Sequence, residues 1–338
     1  MPETTLEPIA PDEAVRLYLR DRQNELADAT IDSYRYKLEK FVEWCEAEDV
    51  ENLNSLSGRD LLRFKQYRAQ DLNSVSLKGQ LDALRAFVKW CESIDAVKQD
   101  LHNKVLSPSL NDGDRERDVL LAPDAATDIL DHLARFEYAS LQHALLTLLW
   151  RCGARSGTVR SFDLRDYDRE NQWLRAKHRP ETPLKNKEKG ERLIALSSDV
   201  CQVLNDYIDH NREDVTDERG REPLLTTQFG RVSKSTIRET CYRWTHPCQY
   251  NGGHCPHSRD TDTCQALNPP EKAPSVCPSS RSPHAWRRGA ITHHLTEDVP
   301  VDVVSDRMNV SREVLEAHYD RRDEEVKVEQ RRGYLEGV

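Results

Sequence analysis

Ser282-Pro283-His284-Ala285-Trp286-Arg287-Arg288-Gly289 is the stretch from which the rest of the chain can be read. Proline just inside a helix start sets φ without losing a needed donor, and Ser282 is placed to cap. The pattern therefore predicts a helix beginning here, with His284 and Arg287 at i and i+3 on one face. Such a pair suits phosphate handling. A guanidinium offers a planar fork of donors to phosphate oxygens, and an imidazole exchanges a proton near neutral pH.

Two distant stretches complete the pattern: Trp150-Arg151-Cys152-Gly153-Ala154-Arg155-Ser156-Gly157 upstream and Ala317-His318-Tyr319-Asp320 downstream. Taken together, the three stretches make a chain that resembles the tyrosine recombinases, the phage-type and Xer-type integrases. The resemblance spans roughly residues 8 to 330. It implies a mainly α fold with a small β-hairpin sheet (α+β), made of an N-terminal helical core-binding domain and a catalytic domain. It places Arg155 as the first phosphate-clamping arginine, His284 and Arg287 as the second box, and Tyr319 as nucleophile. The general acid would be a hairpin lysine. Family spacing back from the strand Leu193-Ile194-Ala195-Leu196 favours Lys187; Lys185 takes its place if the hairpin is two residues longer, and Lys189 is a third candidate. The implied reaction is site-specific cutting and rejoining of double-stranded DNA through a 3′-phosphotyrosyl link, with no cofactor for catalysis. The implied assembly is a homotetramer on paired DNA sites, in which residues 324–335 dock on a neighbouring protomer. Two positions depart from the family. Thr158 stands where an acidic residue is usual, and Val310 where His or Trp is usual.

Composition by itself argues against a DNA partner. The chain of 338 residues has 59 acidic residues against 49 Lys plus Arg, a formal net charge of −10, whereas nucleic-acid-binding domains are commonly basic. Only 14 of those 49 are lysines and 35 are arginines. An acidic, lysine-poor, arginine-retaining chain reads as adaptation to high salt, as in a halophilic archaeon or its virus or plasmid. An ordinary acidic protein without DNA is the alternative. High salt weakens each phosphate contact, so a DNA-binding chain of this kind would need clustered arginines. No apolar run is long enough to span a membrane and no secretory signal is evident, so a cytoplasmic protein is expected.

The length suits two domains. Residues 8–105 read as helical, with helices over 11–26, from a Thr30 cap, over 58–70 and from near Ser76. Phe41-Val42-Glu43-Trp44-Cys45-Glu46 echoes Phe87-Val88-Lys89-Trp90-Cys91-Glu92. The likeness fades outside six residues, so it indicates two helices with similar core faces rather than a repeat. Arg59, Arg63, Lys65 and Arg68 are candidate phosphate contacts or a solvated face. Residues 106–119 have linker composition, and the catalytic domain is assigned to 120–338. Helices are predicted over 124–136, 141–152, 200–211 and 233–244, and strands over 173–176 and 192–196, the strands flanking a basic loop.

An insertion at 246–283 holds Cys248, Cys255, Cys264 and Cys277 among Pro, Gly, Ser and Asn. Such a segment builds little core, and zinc on the four thiolates is the expectation; the spacing has no Cys-x-x-Cys, and ordinary reduced cysteines are the alternative. The other five cysteines, at 45, 91, 152, 201 and 241, read as small core residues. Two other functions stay open: a DNA-binding module that has lost catalysis, favoured by Thr158 and Val310, and a type IB topoisomerase-like relaxing enzyme with the same chemistry.

Overall fold

A computed structural model describes residues 6–26, 28–110, 119–268 and 273–319, together with 325, 328, 329 and 332. Most of the expected linker and the expected docking tail at 324–335 therefore lie outside the described residues. The chain divides into two compact units, 1–117 and 118–338. Helices dominate both, and the described strands are short and antiparallel.

The first unit is built from α1 (Pro11–Arg22), α2 (Asp28–Ala47), α3 (Gly58–Ala69) and α4 (Ser74–Ser93). In α4, Leu77, Leu81, Leu84, Val88 and Cys91 recur at helical spacing and are buried. Asn73 starts that helix by accepting from the Ser76 amide at 2.9 Å. The echoed segments have a common cause. Phe41 and Phe87 are both fully buried, with ring centroids 6.2 Å apart, so the two helices present similar faces because they share one core. Trp44 is buried, while Trp90 reaches Asp21 Oδ2 through its indole N–H at 3.0 Å. Two expectations need correction. Thr30 is not the cap of α2, because the helix already starts at Asp28. Arg68 is not a free phosphate contact: it is buried, with Nε donating to Gln80 Oε1 at 2.9 Å.

The second unit is organised around α6 (Leu141–Cys152), whose residues from His143 to Trp150 are all buried. It packs between α5 (Pro123–Phe136) and α10 (Pro283–Thr296). Gly153 ends α6 in the left-handed region at φ 55°. A side chain there would be strained, and its Cβ would lie 2.5 Å from Met308 Sδ. The chain turns at once into α7 (Ser156–Ser161), with Arg155 at its N-cap. Next come β1 (Tyr167–Asp168), β2 (Trp173–Ala176) and β3 (Arg192–Ala195), ordered β1-β2-β3. Leu174 pairs with Ile194, and both are fully buried, which fixes the register of the hairpin. The expected helix over 200–211 is α8 (Ser198–Asp206) closed by a π-helical turn, Tyr207–Asn211.

A two-strand hairpin, β4 (Thr226–Thr227) and β5 (Gly230–Arg231), leads to α9 (Lys234–Trp244). After the insertion come α10, α11 (Val301–Met308) and α12 (Arg312–His318). Ser282 caps α10 by accepting from the Ala285 amide at 3.3 Å. Trp286, fully buried, anchors that helix edge-on against Trp150, ring centroids 6.4 Å apart. The five cysteines expected in cores are all buried. Among the described residues, no helix is long and apolar enough to cross a membrane.

Candidate active site

The same turns and caps that build the second unit carry its cations to one place. Arg155 lies two residues past the glycine that ends α6, Arg287 lies just past the first turn of α10, and Tyr319 follows α12 directly. All three line a cleft of about 1230 Å³, together with His284, Lys185, Lys189 and Arg192. Sequence positions more than 160 residues apart thus meet around one space.

Arg287 is 2% exposed. Its Nη1 donates to the Gly153 carbonyl at 2.7 Å, so the end of α6 positions it. Tyr319 lies within electrostatic reach of the same side chain. Its Nη2 is buried with no hydrogen-bond partner among the described residues. Arg155 Nη1 donates to the Asn309 carbonyl at 2.9 Å. Asn309 is itself held in the left-handed region at φ 50°, where it ends α11. Burial, then the neighbouring Arg155, lowers the Arg287 pKa to about 10. Burial likewise lowers that of Arg155. These are guanidiniums taken out of water without counterions, and a bound anion would relieve that penalty.

Arg192 belongs to the same set, although its sequence context showed only a strand residue. Its Nε donates to the Arg307 carbonyl at 2.8 Å and its Nη1 to the Gly190 carbonyl at 3.0 Å. Burial, then Arg155, lowers its pKa to about 10. Among the described residues, none of Arg155, Arg192 and Arg287 forms an ion pair with a carboxylate. A cluster of this kind should bind tetrahedral anions. Sulfate at ten times its Kd should raise the Tm by about 3–5 °C. Thermal melts of an Arg287→Ala variant should show little of that gain beyond the general salt effect.

His284 stands exposed at the start of α10. Partial desolvation, then Arg288, Arg287, Arg155 and Lys185, holds its pKa below the ordinary imidazole value. A neutral ring of this kind can accept a proton at neutral pH. Of the candidate lysines, Lys185 and Lys189 line the cleft and Lys187 does not. The reason is local. Lys187 sits at φ 49° and opens a 3₁₀ turn, Lys187–Gly190, which alters the path of the loop ahead of β3. The loop is tied down by Asn186 Nδ2, which donates to Asn309 Oδ1 at 3.2 Å, and by Glu191 Oε1, which accepts from the His178 amide at 2.9 Å.

The positions where the sequence departs from the family are both buried. Thr158 is 6% exposed in α7, its amide donating to the Arg155 carbonyl at 2.8 Å. Val310, also 6% exposed, joins Tyr319, Ile291, Leu295, Val304, Met308 and Leu315 in a small apolar cluster. A valine there packs against the tyrosine but has no donor to offer the cleft. Three other arginines close to these motifs in sequence differ in setting. Arg151 approaches Asp199 at 3.9 Å, Arg160 is half-buried beside Arg231 and Arg221, and Arg288 is buried. Among the described residues, no group of three or more His, Cys, Asp or Glu side chains stands arranged to hold a metal ion, and the expected set of Cys248, Cys255, Cys264 and Cys277 is not closed on a common point.

Comparison with known proteins accords with this architecture. The model of the phage integrase N-terminal SAM-like domain matches residues 17–93. A tyrosine recombinase XerC from Roseiflexus sp. (strain RS-1) is 24% identical over 220 residues, 64% of this chain and 66% of that protein. The XerC of Stutzerimonas stutzeri (strain A1501) is 28% identical over 154 residues, 45% of this chain and 50% of that protein. The matched region thus spans between half and just under two thirds of those relatives' length. Among solved structures, the integrase of transposon Tn1549 in complex with a circular intermediate DNA superposes with a TM-score of 0.66 at 15% identity, covering 96% of this chain and 99% of that one. A lambda integrase dimer bound to a COC′ core site gives 0.62 at 9% identity, covering 96% and 78%. At such identities the likeness is one of fold. Together the comparisons support the tyrosine recombinase family.

Proposed function

We propose that the chain is a site-specific DNA strand transferase that works through a phosphotyrosyl intermediate. The observation that carries this reading is the meeting of Tyr319 with Arg155, Arg287 and His284 in one cleft, with the tyrosine in electrostatic reach of both arginines. In this reading the scissile phosphate sits against Arg155 and Arg287, with Arg192 behind them. Tyr319 Oη attacks phosphorus, its proton passing to neutral His284. A P–O bond to tyrosine forms and the bond to the 5′ oxygen breaks. Lys185 protonates that oxygen, which leaves as a hydroxyl. The 5′-hydroxyl of a partner strand reverses the step, so bond energy is kept and no nucleotide is consumed. Double-stranded DNA is the partner, four protomers on paired sites the assembly, and the cytoplasm the setting. Arginines gathered in a cleft of an acidic chain fit DNA binding at high salt.

The test uses the full chain and a pool of nicked duplexes of randomised sequence, in which the short cleaved fragment diffuses away and traps the intermediate. A DNA adduct stable to detergent and mapped to Tyr319 by mass spectrometry is expected. Duplex binding without any adduct would leave only a binding module. Relaxation of supercoiled DNA without strand exchange would indicate the topoisomerase-like alternative. Within this reading, Lys185→Ala should slow adduct formation by about a hundredfold, the scale of a general acid. Lys187→Ala should stay near the parent rate. The opposite ranking would reassign the acid.

A further inference from the structure

Two of the cleft arginines are held by backbone carbonyls at the C-terminal end of α11. Arg192 Nε donates to the Arg307 carbonyl at 2.8 Å, and Arg155 Nη1 to the Asn309 carbonyl at 2.9 Å. The end of a helix carries partial negative charge on its free carbonyls. It steadies the guanidiniums here without a carboxylate that would compete with a bound anion.

Asn309 does more than end the helix. Its backbone sits in the left-handed region, at φ 50° and ψ 63°, with its amide donating to the Ser305 and Asp306 carbonyls. Asparagine tolerates that conformation better than most side chains do. Its carboxamide then meets the loop ahead of β3. Asn186 Nδ2 donates to Asn309 Oδ1 at 3.2 Å. At the far end of the same loop, a Cβ added to Gly190 would lie 3.1 Å from Asn309 Nδ2, so the amide is packed against the Gly190 backbone. One carboxamide thus touches both sides of the 3₁₀ turn Lys187–Gly190. Lys185, which lines the cleft, is the residue next to Asn186. Residues 185–189 are all exposed, so burial does not fix their path.

We propose that Asn309 is a positioning residue that couples the phosphate clamp to the general acid: its carbonyl orients Arg155 while its carboxamide holds the loop that carries Lys185 beside the same phosphate. The inference rests on the strand-transfer reading and adds to it the part that brings the proton donor to the leaving oxygen. In the cutting step the Tyr319 oxygen bonds to phosphorus as the bond to the 5′ oxygen breaks, and the Lys185 proton must reach that oxygen as it leaves. An untied loop would place the lysine correctly for a smaller fraction of the time, and only the proton-dependent part of the reaction would slow. Asn186 and Asn309 are 123 residues apart in sequence, so spacing gives no hint of the link.

The test uses the full chain and two nicked duplexes built on the sequence recovered by covalent capture. In one the scissile phosphate is ordinary; in the other sulfur replaces its bridging 5′ oxygen. A thiolate leaves with its electron pair and needs no proton, so the second duplex reports attack and clamping without the acid. Asn186→Ala removes the donor from an exposed loop. Asn309→Gly removes the carboxamide, keeps the carbonyl and allows the left-handed backbone. Each should slow adduct formation on the ordinary duplex by about three- to tenfold, the scale of one hydrogen bond, and leave the sulfur duplex near the parent rate. The double variant should be no slower than either single one, since both remove the same link. Equal slowing on the two duplexes would mean that Asn309 acts only on the clamp and would overturn the coupling. Parent rates on the ordinary duplex in both variants, or additive losses in the double one, would overturn it too. Failure of the unaltered chain to give any adduct in the capture would end the strand-transfer reading itself, whereas the other outcomes remove only the role of Asn309.

Discussion

Replacing Tyr319 with phenylalanine is expected to abolish covalent capture of DNA while leaving a folded chain that still binds it. The substitution removes one oxygen. The ring remains within the cluster of Ile291, Leu295, Val304, Met308, Val310 and Leu315, where Tyr319 is 8% exposed. The lost hydroxyl forfeits an electrostatic contact with Arg287, a stability change of about 1 kcal/mol or less. The effect on chemistry is of another order. A phenol oxygen is the proposed attacking atom and nothing equivalent replaces it, so capture should fall by more than about a thousandfold. Gel analysis of the trapped nicked duplex reads the adduct, and gel shift at matched salt reads binding. An adduct that forms in the variant at the parent rate would remove Tyr319 from the proposed role.

Gly289→Ala should produce the largest loss of stability from a single added methyl. A Cβ at this position of α10 would lie 2.1 Å from the Leu121 carbonyl oxygen and 3.0 Å from Trp150 Cζ3. The first of these is backbone and cannot swing aside. It is also held in place, because the Leu121 amide donates to the Ala285 carbonyl at 3.1 Å. Relief therefore means moving α10 away from the segment that precedes α5, which pulls Trp286 and Arg287 with it. Overpacking of a tight contact costs typically 1–3 kcal/mol and more where backbone must shift, so a Tm loss of about 6–12 °C is expected for a unit of this size. Thermal denaturation measures it. A melt within a degree or two of the parent would show that α10 can shift without cost.

How much of this was legible depended on whether the signal was local. Arg155, His284, Arg287 and Tyr319 could be picked out because each sits in a short pattern with a cap, a glycine turn or a fixed spacing, and the structure brings all four to one cleft. The hairpin lysine was not resolved by counting. Spacing assumes a regular loop, and a residue at positive φ followed by a 3₁₀ turn breaks that assumption at Lys187. Arg192 was passed over because alternation along a four-residue strand says nothing about what its side chain meets, namely the carbonyls of Arg307 and Gly190. Arg68 looked like part of a solvated stripe, and only the position of Gln80, twelve residues on, shows it to be interior. Helix cores were readable because apolar spacing repeats, whereas the start of α2 was misplaced because Thr30 lies inside its first turn.

The tyrosine and the arginine that shares its cleft come from helices joined in one polypeptide, with the Thr292 hydroxyl donating to the Tyr319 carbonyl at 3.2 Å. Cutting should therefore be an affair of single subunits. Mixing a Tyr319→Phe preparation with an Arg287→Ala preparation should rescue nothing, since neither partner can lend the other its missing group. Recovery of cleavage in such a mixture would mean that subunits trade their C-terminal helices when they meet on DNA.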